Sequence, residues 1–122
     1  MSQMSIAQAL RQAIREEMLR DERVYCIGED IGVPGGFGGA FTVTLGLSDE
    51  FGRERILDTP ISEIGLAGVA IGSACAGMRP IADVQYGDFL FCMMDQLANQ
   101  AAKMRYMSGG TIKVPMVMRA PV

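Results

Sequence analysis

Residues 55–86 read RILDTPISEIGLAGVAIGSACAGMRPIADVQY, and this stretch decides the fold. Arg55-Ile56-Leu57-Asp58 is a short run with strand character. Residues 62–78 follow as a helix, with Ser62 at the cap position, Glu63 in the first turn and Gly77 able to close it. Residues 81–86 return to strand. The same alternation continues outward. Ser5 and Gln8 have capping-box spacing, and Ile6, Leu10, Ile14 and Met18 recur every four residues beside Ala9 and Ala13, which predicts a helix over 5–20. Val24-Tyr25-Cys26-Ile27 is a buried strand ended by Gly28. Residues 32–39 (GVPGGFGG) are a loop. A helix is expected over 41–51, ended by Gly52, although Thr42, Val43 and Thr44 prefer strand. Residues 88–108 form a long helix carrying Leu90, Met94, Leu97, Ala101 and Met104, closed by Gly109-Gly110. Residues 114–118 are a fourth strand. Alternating helices and strands predict a three-layer α/β domain with a mainly parallel sheet flanked by helices. Parallel sheets are covered on both faces, so further chain is expected beyond Arg119-Ala120-Pro121-Val122.

Composition narrows the function classes. The 122 residues suit one domain, and 49% apolar with 20% charged residues is globular. Eleven Lys plus Arg against 14 Asp plus Glu give a net charge of −3, with no basic run, which argues against nucleic-acid binding through phosphates. No stretch is apolar for ~18 residues, so no membrane-spanning helix is expected. The N-terminal 21 residues mix Arg, Glu and Gln with apolar residues and do not read as a secretory signal. Cys26, Cys75 and Cys92 are widely spaced and read as buried free thiols of a reducing cytoplasm. The chain has no histidine, so it supplies no His base, His metal ligand or Ser-His-Asp triad of its own.

Several features carry two readings each. The loop over 32–39 follows a strand as phosphate-binding loops do. Yet Gly36-Phe37-Gly38 opens a G-x-G-x-x-G that fails at Phe41, and no Gly-Lys-Ser/Thr follows. It reads as a flexible surface or interface loop, or as a phosphate cradle. Gly65, Gly68 and Gly72 in one helix each cost ~1 kcal/mol against alanine. They imply close approach of another backbone or of a ligand at the helix start. Glu63 in a first turn is favoured by the helix dipole alone. It also stands just past the C-terminal end of a strand, where open α/β sheets bind ligands, and among Ile61, Ile64 and Leu66 it could be held for proton transfer. Phe89, past the next strand, is either core or an aromatic face for a planar ligand. The pairs Met93/Met94 and Met104/Met107 read as core or subunit interface. Asp58, Asp83, Asp88 and Asp95 lack metal-ligand spacing and read as caps and surface.

Asp58 to Gly68 (DTPISEIGLAG) resembles the β subunit of the thiamine-diphosphate-dependent decarboxylating component of 2-oxo-acid dehydrogenase complexes, which act on pyruvate, branched-chain 2-oxo acids or acetoin. The likeness extends through Gly28-Glu29-Asp30-Ile31-Gly32, Gly39-Ala40-Phe41, Gly46-Leu47, Gly77 to Ile81, Asp88-Phe89, Asp95-Gln96 and Ala102 to Gly110. It covers nearly the whole chain. It implies most of a pyrimidine-binding domain of the thiamine-diphosphate (transketolase-like) fold, without the C-terminal part of that domain or the transketolase C-terminal domain that follows. The glutamate matching Glu63 then hydrogen-bonds a ring nitrogen of the cofactor's aminopyrimidine and drives the proton exchange that makes the thiazolium carbon nucleophilic. The aromatic matching Phe89 packs on the pyrimidine, and Gln85 lines the same pocket. The main-chain carbonyl of Met116 is an implied ligand of a monovalent cation, K+. Diphosphate and Mg2+ belong to the partner α subunit, so the 32–39 loop is not expected to bind them.

The implied assembly is α2β2, with a second β subunit, and it passes an acyl group to the lipoyl acyltransferase component. Members of the family are about three times longer and carry an active-site histidine in a later loop, so these 122 residues alone are expected to be inactive. Residues 99–103 (NQAAK) lean toward pyruvate or acetoin enzymes. The rival expectations are an acetoin-cleaving β subunit, a non-catalytic fragment or interaction module that only pairs with a partner, and a nucleotide-binding α/β domain resting on the glycine loop.

Overall fold

The computed structural model describes residues 3–122. Helix α1 (Ile6–Arg20) opens on the expected capping box: the Gln8 N–H donates to the Ser5 hydroxyl, and the Ser5 N–H donates to the Gln8 side chain. Its packed face is rotated from the expected one. Ile14 and Met18 are buried and Ala7 packs beside them, while Ile6 and Leu10 are exposed. Arg11 sits on the same side as Ala7 and donates to the carbonyls of Thr42 and Val43, so a cation takes the place expected for Leu10.

Strand β1 (Val24–Gly28) is buried at all five residues and lies at the centre of the sheet. It pairs in parallel with β2 (Ile56–Asp58) and β3 (Arg79–Asp83), and β3 pairs in parallel with β4 (Val117–Arg119), giving the order β2-β1-β3-β4. The two faces of β1 separate the layers. Val24 and Cys26 join Ile14, Met18, Val43, Leu47 and Ile56 on one side. Tyr25 and Ile27 join Leu66 and Ala70 of α3 (Glu63–Cys75) on the other. The Tyr25 hydroxyl and the Ser73 Oγ, 2.6 Å apart, share a hydrogen bond that pins α3 to the sheet. The expected three-layer α/β architecture is thus present, and the sheet is parallel throughout.

Boundaries shift where hydrogen bonds are better placed. Strand β3 begins at Arg79, opposite Val24, and ends at Asp83, whereas strand was expected over 81–86. Gln85 and Tyr86 thereby leave the sheet. Strand β4 starts at Val117, three residues later than expected, after Pro115, which has no N–H to give a ladder. The helix expected over 41–51 shrinks to α2 (Leu47–Phe51). Thr42 has a left-handed backbone (φ 57°), the Thr44 hydroxyl bonds the Ile31 carbonyl, and the Ser48 hydroxyl bonds the Gly32 carbonyl. The β-branched residues here tie down a loop instead of propagating a helix. The long helix expected over 88–108 is helical but changes pitch, from a 3₁₀ turn (Gly87–Met93) through a π segment (Asp95–Ala101) to α4 (Ala102–Met107). The tight first turn sets Leu90 and Met93 on one face, so of the Met93/Met94 pair Met93 is buried and Met94 exposed, and Leu97 continues that face. Met104 is half-buried and Met107 exposed.

Of the three cysteines only Cys26 is buried; Cys75 is half-buried and Cys92 exposed. Burial, aided by the Asp83 charge, pushes the Cys26 thiol up to about 12, so it is inert. No helix of the described residues is long and apolar enough to cross a membrane.

Gly28 sets the approach of β1 to β3. A Cβ there would stand 2.9 Å from the Asp83 carbonyl oxygen. Gly28→Ala is therefore expected to destabilise the fold by ~1–3 kcal/mol through overpacking, read as a lower urea midpoint with an unchanged slope.

Candidate active-site crevice

Because the sheet is parallel, the C-terminal ends of β1, β2 and β3 rise on one edge. The Thr59 N–H donates to the Gly28 carbonyl (2.9 Å) and the Gly32 N–H to Asp58 (2.8 Å), which levels the ends of β1 and β2. Helix α3 starts there. Ser62 holds its N-cap position but makes no side-chain cap bond, contrary to expectation; its hydroxyl stands 2.7 Å from where a Cβ at Gly65 would be. Glu63 is thus the first helical residue and is half-buried.

Glu63, Gln85 and Phe89 meet in one crevice, together with Glu29, Leu66, Asp83, Val84 and Met93. Its enclosed volume is about 10 Å³, room for about one water molecule. Phe89 is 38% exposed, so it is a wall and not core. It stands edge-to-face with Tyr86 (5.9 Å, 81°), and Tyr86 stands edge-to-face with Phe41 (5.5 Å, 65°). Gln85 is buried and both ends of its amide are engaged. Its oxygen accepts from the Ala40 N–H (3.0 Å), and its nitrogen donates to the Glu29 carbonyl.

Two carboxylates here escape the sequence reading as site residues. Glu29 follows β1 directly. Its carboxyl is held above its usual range, chiefly by desolvation and then by the negative charges of Glu63 and Asp30, with the Ser62 main-chain N–H opposing. Asp83 was expected at a cap or on the surface and is instead 3% exposed. One of its oxygens pairs with Arg119; the other, Oδ1, is buried with no protein partner. Burial raises the Asp83 carboxyl, against the pull of Arg119. The signal available for both was position, at or just past a strand's C-terminal end. Asp58 serves a main-chain N–H, Asp88 is exposed, and Asp95 accepts from Asn99, as surface or capping roles require.

Met116 is not in the crevice. It lies just before β4 and lines a groove at the opposite end of the strands, beside Arg20, Arg23 and Arg79. The glycine loop is tied down, not loose. Its Gly36, Gly39 and Ala40 amides donate to Val33, Asp30 and Gln85, so they are spent within the protein and do not form a phosphate cradle.

The family model for the transketolase pyrimidine-binding domain matches residues 2–122. The chain belongs to that family. The transketolase-type domain here is 48% identical over 121 residues to the 2-oxoisovalerate dehydrogenase subunit beta of Bacillus subtilis, covering 99% of this chain and 36% of that protein. It is 46% identical over 119 residues to the pyruvate dehydrogenase E1 component subunit beta of Rickettsia conorii, covering 98% and 36%. It is 44% identical over 121 residues to the corresponding subunit of Staphylococcus epidermidis, covering 99% and 36%. The chain therefore spans a little over a third of the length of these relatives.

The raised Glu29 carboxyl gives this pyrimidine-binding domain a pH signature. A carboxyl raised on folding binds its proton more tightly in the folded state, so its contribution favours folding below its ordinary value of 4.5 and is lost as pH rises through the raised value. Glu29→Gln is expected to raise the melting temperature near neutral pH and to leave it nearly unchanged near pH 4, as read by thermal unfolding at both.

Proposed function

We propose that this domain forms the aminopyrimidine side of a thiamine-diphosphate site in a 2-oxo-acid dehydrogenase of the pyruvate or 2-oxoisovalerate type. The observation that carries the proposal is the convergence of Glu63, Glu29 and Phe89 on one crevice with an apolar lining of Leu66 and Met93. An aminopyrimidine needs carboxyl partners for its ring nitrogens and exocyclic amine, and apolar walls for its faces. The residue types suit that ring, which would lie over the mouth of the crevice, since the enclosed space is about that of one water molecule. They do not fit a diphosphate: among the described residues lining the crevice none is Lys or Arg. That division supports placing diphosphate and Mg2+ on a partner α subunit.

Thiamine diphosphate, when bound, supplies the nucleophilic carbon that attacks the 2-oxo group and takes up the charge left by decarboxylation. Glu63 would hydrogen-bond a ring nitrogen and hold or release a proton there. Helix α3 orients it, since the first-turn carboxylate is favoured by the dipole and the helix is pinned by Tyr25 and Ser73. Phe89, braced by Tyr86, would offer the ring a flat wall and exclude water. Gln85 would line the pocket through its stem, its amide being engaged with main chain. The acceptor in this reading is the lipoyl acyltransferase, the assembly is α2β2 with a second β subunit, and a monovalent cation sits at the Met116 carbonyl; all three rest on the family resemblance of the motifs around residues 58–68. The substrate class is a 2-oxo acid, because relatives named for pyruvate and for 2-oxoisovalerate match almost equally well.

The test is Glu63→Gln in the chain assembled with its α subunit, assayed on a panel of 2-oxo acids. Turnover is expected to fall by about a hundredfold or more while assembly, followed by size-exclusion chromatography, is intact. Near-normal turnover would take Glu63 out of the mechanism.

A further inference from the structure

We propose that Gln85 is a positioning residue whose two-ended amide clamp fixes Glu29 at the crevice. Three observations support it. The residue is 8% exposed, too buried for its amide to be a solvated surface group. Its two ends bond two different main-chain points, the Glu29 carbonyl and the Ala40 N–H, and so close the loop between them. That loop starts at Glu29, which shares the crevice with Glu63, and ends beside Phe41, the far member of the aromatic row that braces Phe89. One amide therefore holds both an acid of the crevice and the support of its aromatic wall. The Gln85 amide itself is buried, so leaving either of its ends unpaired is costly, and the two part-buried bonds it makes are not replaceable by packing alone.

The clamp sets the electrostatics of the crevice. The charged groups around Glu29 are Glu63 from α3, Asp30 from its own segment, and Asp83 from β3 with its partner Arg119 from β4. If the loop is released, Glu29 relaxes toward solvent, and both its desolvation and the effect of the Glu63 charge on its carboxyl weaken. The functional part of this inference rests on the thiamine-diphosphate reading.

The test uses Gln85→Met and Gln85→Glu in the chain assembled with its α subunit, with Ile14→Val in the opposite layer as a control for mild destabilisation. The first readout is hydrogen exchange of the segment over 30–42 without cofactor. Gln85→Met is expected to speed exchange of the Ala40 amide about tenfold, as loss of its bond implies. Gln85→Glu is expected to keep the Ala40 bond, since a carboxylate accepts as the amide oxygen does, and to regain the donation to the Glu29 carbonyl only when protonated, so protection factors elsewhere in the segment should rise as pH falls. The second readout is the pH profile of thiamine-diphosphate affinity, which should move in Gln85→Met and stay in place in Ile14→Val. Unchanged Ala40 exchange in Gln85→Met, or a pH profile that moves no more than in the control, overturns the clamp. Absence of thiamine-diphosphate binding by the unsubstituted complex would instead overturn the proposed function, and the exchange readout would still decide whether Gln85 holds the loop.

Discussion

The close parallel contact of β1 with β3 is the constraint on which the rest depends. Gly28 faces Asp83 in register, with no room for a side chain between the two backbones. β1 is buried along its whole length, so a one-residue slip would exchange Val24 and Cys26 with Tyr25 and Ile27 between two layers each packed for the other set. Once that register is set, β2 and β3 end at the same level. The connections that leave them must then start on one edge, so Glu29, Glu63 and Gln85 come together although they are far apart in sequence. The site is a consequence of strand alignment before it is a consequence of any side chain.

The same edge carries an electrostatic load. Asp83 is almost wholly buried and its pairing with Arg119 across β3 and β4 is what makes that burial tolerable. Buried pairs of this kind add little net stability over apolar packing, yet breaking one typically costs ~3–5 kcal/mol, because a lone charge is left behind. The pair therefore acts as a lock on the β3–β4 register near the crevice. The unpartnered Asp83 Oδ1 leaves one strong acceptor beside a space of about one water molecule, a place suited to an ordered water.

Much of this was legible in the sequence, and the parts that were not share a cause. Helix α3 and the central strands follow from local pattern, because apolar runs and glycine stops mark them directly. Glu63 and Phe89 were legible as site candidates because they stand just past strand ends. Glu29 stands in an equivalent place, but its meaning depends on Glu63 and Ser62, which reach it only through the fold. Asp83 looked like any surface acid because Arg119, which makes it a buried one, lies 36 residues away. The swap of Leu10 for Arg11 on the packed face of α1 has the same origin: the loop carbonyls that Arg11 serves are distant in sequence. Which of Met93 and Met94 is buried was not legible, because helical pitch changes where the chain packs on Ala67 and Val84, a tertiary effect that a fixed period of 3.6 misses.

Helix α3 carries glycines that its own packing does not all explain. Mid-helix glycines are unfavourable, and within this chain Gly68 and Gly72 buy no close packing. A Cβ at Gly72 would meet nothing within 4 Å, and one at Gly68 would meet only the Gln96 side-chain oxygen at 3.9 Å. Val69, between them, is 54% exposed, and Ile64 on the preceding turn is 60% exposed. Close packing within the domain is thus removed as the reason for Gly68 and Gly72, whereas a Cβ at Gly65 would stand 2.7 Å from the Ser62 hydroxyl. The crevice lies at the Glu63 end of the helix, and Gly72 is more than two turns away from it, so a ligand there does not account for Gly72. Gly68 and Gly72 are therefore open positions of this domain, and the cost of a glycine in mid-helix is not recovered there by any contact within it.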